Sequence, residues 1–448
     1  MKYVCRAAGA VVESLENRTL LSGVPLAVSR QEVFGGTQLK IVGTPGNDQI
    51  TVRQVGDAVV VGNTGGWTAT YAGNFNSILI DAGAGNDSVV VDPSVTTDCV
   101  IYGGPGNNTL QGGSGNDRLY SGPGKNVLKA GAGDDVLDCI GSTADTLIGG
   151  AGRDSFWADN SSRERILNPG AAGSGAVHRV SSFYSASGSR RAVVSVKKAL
   201  SVRSLPEPVA DGTTYRDFSN HRLFASAGPG EDDVRQGDVG DCFLLSVLSS
   251  TAKVDPWRIR QSMLDMGDGT YVVQFTRGSS KVFVRVDGQL PTWSDGSLVY
   301  ADQGSQGSIW VAVMEKAYTV FRSAAPSYAA LDGGWMNEPY AALGAASYSS
   351  FYEPDGQTLL ADLQVELAAG KSVTYGAGTP ADGAPLLGSH AYTVDHFNFD
   401  ATGTPVSVTL RNPWGVDGAG NDGANDGYVT LNGQQALDSM IGFASANV

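Results

Sequence analysis

Apolar residues recur at a fixed interval in the first third of the chain. Leucines stand nine residues apart at four successive positions, and after a one-residue insertion the series continues for two more. The series is Leu110, Leu119, Leu128, Leu137, Leu147 and Phe156. Glycine and polar residues fill the intervals between them. One apolar residue per nine predicts a parallel β-roll, in which each short strand points one side chain inward. A flexible glycine-rich linker is the alternative, and it does not explain the spacing.

The polar positions of the same region follow the nonapeptide GGxGxDxUx, where U is apolar. Its clearest copy is Gly112-Gly-Ser-Gly-Asn-Asp-Arg-Leu-Tyr120, and earlier copies end near Ile50 and Val89. The sixth residue supplies a side-chain oxygen, and turn carbonyls complete an oxygen shell that suits calcium. The predicted calcium ligands of the roll are Asp87, Asp117, Asp135 and Asp154.

Successive turns of such a roll alternate between its two edges. One edge carries Asp117, Asp135 and Asp154, and the other carries Asn108, Asn126 and Asp145. A neutral amide oxygen binds a hard dication less tightly than a carboxylate does. We therefore expect calcium to load the aspartate edge and to leave the asparagine edge mostly empty.

A different pattern begins at Gln236-Gly-Asp-Val-Gly-Asp-Cys-Phe-Leu-Leu-Ser246. Gly237 and Gly240 allow a tight turn, and Asp241 can cap a helix. The residues that follow are too apolar for a surface helix, so a buried helix is predicted. Cys242 then lies in its first turn, where unpaired N–H groups lower a thiol pKa and favour the thiolate. A buried, inert cysteine is the alternative that this stretch leaves open.

The remaining pattern predicts a mixed α+β domain. A hairpin is expected from Tyr271–Phe275 and Lys281–Val286, and helices from Ser308–Arg322 and Asp362–Ala369. Two later strands are predicted, one from His390 to His396 and one ending in Asn412-Pro-Trp-Gly. A hairpin of these strands sets a histidine beside an asparagine, whose amide oxygen holds the imidazole in position.

Composition narrows the possible functions. The chain has 448 residues, a net charge of −14 and 41% hydrophobic residues, which allows two or three domains. The negative charge argues against binding to nucleic acid or anionic membranes. No run of 18 apolar residues exists, so no membrane span is expected. Four scattered cysteines give neither a disulfide framework nor a CxxC zinc motif.

Changes in composition along the chain predict four segments. Residues 1–35 contain Leu15-Glu-Asn-Arg-Thr-Leu-Leu-Ser22, which resembles an N-terminal element of large exported bacterial surface proteins. This favours an extracellular or cell-surface protein, with an ordinary amphipathic helix as the alternative. Residues 36–160 are the β-roll. Residues 161–212 are basic and rich in Ser, Ala and Gly, which predicts a linker. Residues 213–448 are the candidate catalytic domain.

Five motifs occur in the order and spacing of the calpain catalytic core. They are Gln236-Gly-Asp-Val-Gly-Asp-Cys-Phe-Leu-Leu245, Glu315-Lys-Ala-Tyr318, Leu331-Asp-Gly-Gly334, Ser389-His-Ala-Tyr-Thr-Val394 and Leu410-Arg-Asn-Pro-Trp-Gly415. The resemblance implies a papain-like α+β cysteine protease. It assigns Cys242 as the nucleophile, His390 as the general base and Asn412 as the residue that orients the imidazole. The Gln236 side chain would join the Cys242 backbone N–H in the oxyanion hole.

The nonapeptide region in turn resembles the RTX, or hemolysin-type, calcium-binding repeats. Calpain cores also bind calcium, and Asp233 falls where a ligand of the first core site is expected. Ser308 replaces the acid expected just before Trp310, so that site should be weaker or lost. The chain has Phe243 where calpains usually have Trp, and Ser389 where they usually have Gly.

These features predict a calcium-dependent cysteine endopeptidase that hydrolyses protein or peptide substrates through a Cys242 thioester. His396 is a rival base, six residues beyond His390, but it lies outside the motif. Two other functions remain open: a non-catalytic calcium-binding adhesion protein with a degenerate protease domain, and an acyltransferase that uses the same Cys/His pair.

Overall fold

The computed structural model describes residues 26–33, 36–63, 65–142, 144–167, 175–187, 190–202, 204–418 and 424–448. The chain divides into two compact units, with the boundary between Ser181 and Ser182. Most of the predicted export segment, residues 1–25 and 34–35, lies outside the described residues. Across the described ranges, no helix has the length and apolarity needed to cross a membrane.

The first unit is a β-solenoid whose coils contribute strands alternately to two eight-stranded sheets. One sheet has the order β1-β2-β6-β8-β10-β12-β14-β16, and the other has the order β15-β13-β11-β9-β7-β3-β4-β5. The strands are β1 (Ala27–Val33), β2 (Gly36–Thr44), β3 (Gln49–Val55), β4 (Ala58–Asn63), β5 (Thr68–Ala72), β6 (Ser77–Gly83), β7 (Ser88–Val91), β8 (Cys99–Tyr102), β9 (Thr109–Gln111), β10 (Arg118–Tyr120), β11 (Val127–Ala132), β12 (Val136–Asp138), β13 (Thr146–Ala151), β14 (Ser155–Asp159), β15 (Arg165–Leu167) and β16 (Ala176–Val180).

The core of this unit is the row of apolar residues that the nine-residue period predicts. All six members of the series from Leu110 to Phe156 have no exposed surface, as do Ile50 and Val89. Glycines stack from coil to coil where the backbone turns. A Cβ placed on Gly150, which has a φ of +128°, would lie 1.8 Å from the carbonyl oxygen of Gly131. Only glycine fits such a turn, because neighbouring coils approach backbone to backbone.

The stretch predicted as a linker, residues 161–212, contains four strands in the structure. β15 and β16 extend the two sheets of the solenoid, pairing with β13 and β14. Ser182–Ser187 and Arg190–Ser195 form an antiparallel hairpin, and its Tyr184 pairs with Val284 in the second unit. Phe183 in this hairpin has no exposed surface. Ser and Ala are frequent in this stretch. The few apolar residues that pack these strands against their neighbours are therefore not conspicuous in the sequence.

The second unit is α+β. Its helices are α1 (Val196–Leu200), α2 (Cys242–Val254), α3 (Pro256–Gln261), α4 (Trp310–Arg322), α5 (Asn337–Ala342), α6 (Gly356–Ala368) and α7 (Gly433–Ser439). Its strands are β17 (Ser182–Ser187), β18 (Arg190–Ser195), β19 (Thr214–Asp217), β20 (Met263–Asp265), β21 (Thr270–Arg277), β22 (Ser280–Asp287), β23 (Gln289–Thr292), β24 (Ser347–Ser350), β25 (Ser372–Ala377), β26 (His390–Phe399), β27 (Pro405–Arg411), β28 (Tyr428–Asn432) and β29 (Met440–Ala446).

Two larger sheets organise this unit. One has the order β18-β17-β22-β21-β20, and the other has the order β24-β29-β25-β26-β27-β28. The predicted hairpin is confirmed as β21 and β22, with Arg277 opposite Ser280. Helix α2 is buried from Phe243 to Ala252. The Oγ of Ser250 donates to the carbonyl of Val373 in β25, and the Oγ1 of Thr393 in β26 donates to the carbonyl of Ser246. The six-stranded sheet packs against α6 and α7, and the apolar residues between them form a separate core.

Candidate active site

The loop before α2 is shaped by two glycines, as predicted. A Cβ on Gly237 would lie 2.1 Å from the carbonyl oxygen of Tyr300, and one on Gly240 would lie 2.2 Å from the Oδ1 of Asp332. A side chain at Gly237 would require backbone movement, and one at Gly240 would displace the side chain of Asp332. Cys242 is the first residue of the 13-residue helix α2. The loop therefore presents the thiol at the N-terminal end of a buried helix.

The structure brings two of the predicted site residues into direct contact. His390 begins β26 and Asn412 follows the last residue of β27, its antiparallel neighbour. The Nε2 of His390 lies 2.9 Å from the Oδ1 of Asn412. The Nδ2 of Asn412 donates to the carbonyl of Asp417 at 3.2 Å, and the N–H of Trp414 donates to Oδ1 at 3.0 Å. These partners assign Oδ1 to the histidine side, so Nε2 carries the proton and Nδ1 is left as the basic nitrogen.

The histidine–asparagine pair is shielded from water. His390 is 7% exposed and Asn412 is fully buried. The rings of Tyr392 and Trp414 pack edge-on against the imidazole, with centroids 4.9 Å and 5.4 Å away. Burial lowers the pKa of His390, and the hydrogen bond to Asn412 acts in the opposite direction. The imidazole is therefore held largely neutral, as a base needs to be.

Cys242 lies against the same strand, one residue further on. Its Sγ interacts with the backbone N–H of Ala391. Burial, to which the charge of Asp241 adds, raises the pKa of Cys242 to about 11. This differs from the predicted lowering, because loss of hydration outweighs the N–H groups of the helix terminus. Within the described ranges, no hydrogen bond joins the thiol to the imidazole.

Asp241 also differs from its predicted role. It stands at the N-cap position of α2, but its side chain makes no capping hydrogen bond. Instead it is fully buried against Glu315 of α4, which is 1% exposed. The Oε2 of Glu315 accepts from the N–H of Ala301 at 3.0 Å. The Oδ1 and Oδ2 of Asp241 and the Oε1 of Glu315 make no hydrogen bond to other described residues. Two ionised carboxylates only accept hydrogen bonds, so burying the pair favours a proton on one of them.

Burial sets the protonation of this acid pair. It raises the pKa of Asp241 to about 7, although the bond to Glu315 acts against that rise. The pKa of Glu315 lies well above its ordinary value, first because of burial and then because of the charge of Asp241. The pair therefore keeps a proton to higher pH than ordinary carboxylic acids do. The Glu-Lys-Ala-Tyr motif identified the position of Glu315 but not this partnership.

Buried polar contacts dock the strands onto α2. Arg411, 3% exposed, donates through Nη1 to the Oγ of Ser249 at 3.1 Å and through Nη2 to the carbonyl of Val234 at 3.0 Å. Thr393 donates to the carbonyl of Ser246 at 2.8 Å. Sequence reasoning missed these contacts. The signal was the spacing of serines along one face of an otherwise apolar helix.

Gln236 is held by its own loop. Its Nε2 donates to the carbonyl of Val239 at 2.6 Å, and its backbone N–H donates to the carbonyl of Pro413 at 2.8 Å. The amide has a second N–H on Nε2, so one donor remains for a substrate oxygen. The Pro413 contact places this loop beside the segment that carries Asn412.

The rival histidine lies at the surface. The side chain of His396 is 57% exposed and its Nδ1 lies 2.6 Å from the Oδ2 of Asp395. The register of β26 against β27 shifts between Val394 and His396, so the strand is irregular there. His390, not His396, shares the buried neighbourhood of Cys242.

Ser389 has an unusual backbone conformation. Its φ is +52°, in the left-handed region that favours glycine. This accounts for the glycine that the resemblance leads us to expect at this position. Phe243, the other departure, packs beneath the guanidinium of Arg322, whose carbon lies 4.7 Å from the ring centroid.

A pocket of about 270 Å³ adjoins the loop before Cys242. Gly240 and Val239 line one part of it, and the carboxylates of Asp211, Asp238 and Asp332 line others. Three acids around a small pocket give it a negative potential.

In the first unit, the predicted aspartate edge forms a ladder of carboxylates. The Oδ1 of Asp117 accepts from the N–H of Cys99 at 2.7 Å, and that of Asp135 accepts from the N–H of Asp117 at 2.7 Å. The Oδ1 of Asp154 accepts from the N–H of Asp135 at 3.2 Å. All three acids have no exposed surface. Each coil thus places its carboxylate directly beside that of the next coil.

This ladder fits a calcium ion. The Oδ2 atoms of Asp135 and Asp154 are buried and have no hydrogen-bond partner among the residues that the structure describes. Burial raises the pKa of Asp117 to about 7 and that of Asp135 to about 8. Unpaired buried carboxylates are unfavourable unless a cation or a proton neutralises them. Hard oxygen donors of this kind are what calcium prefers.

The opposite edge is a mixed ladder with two amides, Asn108 and Asn126, at its centre. Asp87 donates its N–H to the Oδ1 of Asn108 at 2.9 Å, Asn108 to Asn126 at 2.8 Å, and Asn126 to Asp145 at 2.7 Å. The predicted separation of aspartates and asparagines between the edges is therefore present in the structure. Asp87, predicted as a ligand, lies on the amide-rich edge.

Asp233, the predicted ligand in the second unit, is 1% exposed and bound by N–H groups. Its Oδ1 accepts from Ser305 at 2.7 Å, and its Oδ2 accepts from Gly230 at 3.0 Å and from the indole of Trp310 at 2.8 Å. The nearby Ser308 supplies no carboxylate. These donors do not fit a calcium site in this conformation.

Comparison with known proteins agrees with this architecture. Residues 213–425 match the family model described as calpain family cysteine protease. Residues 102–137 and 140–162 match the model described as RTX calcium-binding nonapeptide repeat.

Similar curated proteins are calpains. Calpain-8 of Mus musculus is 30% identical over 242 residues, which covers 50% of this chain and 34% of that protein. The calpain-2 catalytic subunit of Gallus gallus is 30% identical over 209 residues, 43% of this chain and 29% of that protein. The calpain-type cysteine protease ADL1 of Oryza sativa subsp. japonica is 30% identical over 212 residues, 44% of this chain and 10% of that protein. The chain thus spans between a tenth and about a third of the length of these relatives. Residues 213–425 therefore form a calpain-family cysteine protease domain, in a chain that also carries RTX calcium-binding repeats.

Proposed function

We propose that this chain is a calcium-dependent cysteine endopeptidase that cleaves protein substrates through a thioester on Cys242. The observation that carries the proposal is the buried hydrogen bond from His390 Nε2 to Asn412 Oδ1, with Cys242 against the next residue of the same strand. That bond leaves Nδ1 of the imidazole as the nitrogen able to take the thiol proton. A thiol with a raised pKa needs such a base beside it.

The reaction proceeds in two halves. As Cys242 Sγ bonds to the scissile carbonyl carbon, its proton passes to Nδ1 of His390. The backbone N–H of Cys242 and the free N–H of Gln236 stabilise the oxyanion. His390 then gives the proton to the leaving amine as the C–N bond breaks, which leaves the thioester. Water attacks the thioester with His390 as base, releasing the carboxylic acid and restoring the thiol.

In this proposal, calcium binds to the first unit. Asp117, Asp135 and Asp154 would hold it, and a bound cation neutralises carboxylates that are otherwise buried without partners. The dependence of hydrolysis on calcium is part of the proposal. We also propose an extracellular or cell-surface location, because RTX repeats are typical of secreted proteins.

The acidic pocket beside Gly240 suggests the substrate preference. Asp211, Asp238 and Asp332 would attract a cationic side chain at a position near the scissile bond. We propose that peptides with Lys or Arg there are cleaved faster than matched peptides with Glu. Replacing Asp238 with Asn should reduce that preference, measured as the ratio of kcat/KM values.

The test compares the wild type with Cys242→Ser in a calcium titration. A thiol-directed epoxide probe should label the wild type, and casein should be cleaved. Both signals should disappear together in Cys242→Ser. A wild type that never labels, with or without calcium, would leave the non-catalytic adhesion function. Incorporation of a primary amine in preference to hydrolysis would instead establish an acyltransferase.

A further inference from the structure

Cys139 occupies a position that other coils of the solenoid give to glycine. The equivalent residues in two neighbouring coils are Gly112 and Gly149. A Cβ on Gly112 would lie 2.4 Å from the Oδ2 of Asp117, and one on Gly149 would lie 2.0 Å from the Oδ2 of Asp154. A side chain at this position therefore faces the acid of its own turn. Cys139 places a thiol there.

The acid of that turn is Asp145, and the next coil on the same edge adds a second acid, Glu164. Ligand atoms of Cys139, Asp145 and Glu164 all lie within 4.8 Å of one another. The three residues are 1%, 0% and 4% exposed. The Sγ of Cys139 lies 3.7 Å from the Oε2 of Glu164, which also accepts the N–H of Asp145 at 2.8 Å.

One atom of this cluster has no partner. The Oε1 of Glu164 is buried and makes no hydrogen bond among the described residues. A buried, unpaired carboxylate oxygen costs free energy unless something outside the protein completes its coordination. The thiol and both acids lie together, so a bound cation would neutralise the cluster.

We propose that Cys139, Asp145 and Glu164 form a site for a borderline-soft divalent cation of the zinc class. A thiolate and two carboxylates are zinc ligands, and bonds of about 2.3 Å to sulfur and 2.0–2.2 Å to oxygen bring such atoms together around one ion. A water completes the four-coordinate shell. Thiolate sulfur selects against calcium, which binds all-oxygen sites.

The site contrasts with the aspartate edge of the same solenoid. Asp117, Asp135 and Asp154 offer only oxygen, whereas the asparagine edge ends in sulfur and two carboxylates. Metal binding at Cys139 replaces the thiol proton, which leaves to solvent as the metal–sulfur bond forms. Burial and the charge of Glu164 raise the pKa of Cys139, so affinity should increase with pH.

The test titrates cadmium, a spectroscopic substitute for zinc, into the full chain. Cys5→Ser and Cys242→Ser are built in, so that the remaining thiols are Cys99 and Cys139. Excess calcium fills the all-oxygen sites throughout. One equivalent of cadmium should give the ultraviolet cadmium–thiolate absorption band, and zinc should displace it.

Matched variants assign the band. Cys99 is the control, because it too is buried and lies beside an acid, Asp117. The band should vanish in Cys139→Ser and persist in Cys99→Ser. Glu164→Gln should weaken cadmium binding at least about tenfold, since it removes one anionic ligand. The calcium-induced circular dichroism change of each variant reports whether the solenoid folds.

Three outcomes would overturn the proposal: no band in the parent under excess calcium, a band retained in Cys139→Ser, or a band lost in Cys99→Ser alone. If Cys139→Ser does not fold, the cadmium affinity of Glu164→Gln tests the site instead. Unchanged cadmium affinity in a folded Glu164→Gln protein also excludes the site.

Discussion

The two units of this protein bring functional side chains together in opposite ways. In the solenoid, Asp117 contacts its ladder neighbour 18 residues away, and the same bond is repeated in coil after coil. In the protease unit, Arg411 contacts Ser249 across 162 residues, and Thr393 contacts Ser246 across 147. Because the solenoid repeats, its carboxylate sites recur along the chain and can be predicted from the sequence. The site in the protease unit depends on unique contacts, and each of them is made once.

The two units also solve the burial of acids differently. In the solenoid, the carboxylates of Asp135 and Asp154 each keep an oxygen unpaired, which suits a cation. In the second unit, Asp241 and Glu315 are buried together, and their raised pKa values favour neutralisation by a proton. Burial raises the pKa of the acids in both units. The surrounding groups decide whether a cation or a proton neutralises the acid.

The largest expected effect comes from His390→Ala. Loss of the base should reduce kcat/KM for a peptide substrate by about 10²–10⁴-fold. The control is His396→Ala, which removes an exposed ring and should stay near wild type. Calcium binding by the solenoid, measured by calorimetry, should not change in either variant. Equal losses from both histidines would break the assignment of the base.

Asn412→Ala should cause the next largest loss of activity. It removes the acceptor of both His390 Nε2–H and Trp414 N–H, and leaving such groups unpaired costs about 1–3 kcal/mol. We expect kcat/KM to fall about 10- to 100-fold, with labelling of Cys242 by an epoxide slowed to a similar degree. Asn412→Asp, which keeps an acceptor, should recover part of the loss. Full activity in Asn412→Ala would show that the bond to the ring is dispensable.

A third experiment compares the two edges of the solenoid. Asp135→Asn removes a charge from the centre of the carboxylate ladder, and calcium affinity should fall about tenfold or more. Asn126→Asp adds a charge at the centre of the amide ladder and should gain a calcium equivalent. Isothermal calorimetry measures both. Equal calcium occupancy of both edges in wild-type crystals soaked with calcium would contradict the predicted asymmetry.

The smallest effect concerns the acid pair. Folding raises the pKa of Asp241 to about 7 and that of Glu315 further, so the native state holds protons more tightly than the unfolded state. The resulting stabilisation is complete at acidic pH and is lost as pH rises through those values. Glu315→Gln keeps a neutral donor but no proton to lose. Its melting temperature should therefore fall less than that of the wild type between about pH 6 and about pH 9.

Asp238→Asn, an exposed change in the same loop as Asp241, is the control and should keep the wild-type slope. Scanning calorimetry of the full chain provides the melting temperatures. Identical slopes for Glu315→Gln and wild type would show that the pair does not titrate in this range.

Sequence reasoning succeeded where a residue's neighbours are set locally. The nine-residue period gave the buried leucines and the two chemically distinct edges of the solenoid. The alternation from His390 onward gave a strand, and its pairing with the strand before Asn412 followed. It predicted a linker for residues 161–212 and missed the strands there, because Phe183 and its neighbours become buried only after distant strands supply a partner.

The sequence by itself determined the period of the solenoid, the identity of the acids on each edge, and the order of the protease motifs, because these are properties of spacing. Only the tertiary structure decided the electrostatics. It placed Asp241 against Glu315 instead of at a helix cap, and it placed the thiol of Cys139 beside Glu164. It also raised the pKa of Cys242 against the effect of the helix terminus. Loss of water and distant charges set these values, and neither is encoded in the spacing of residues along the chain.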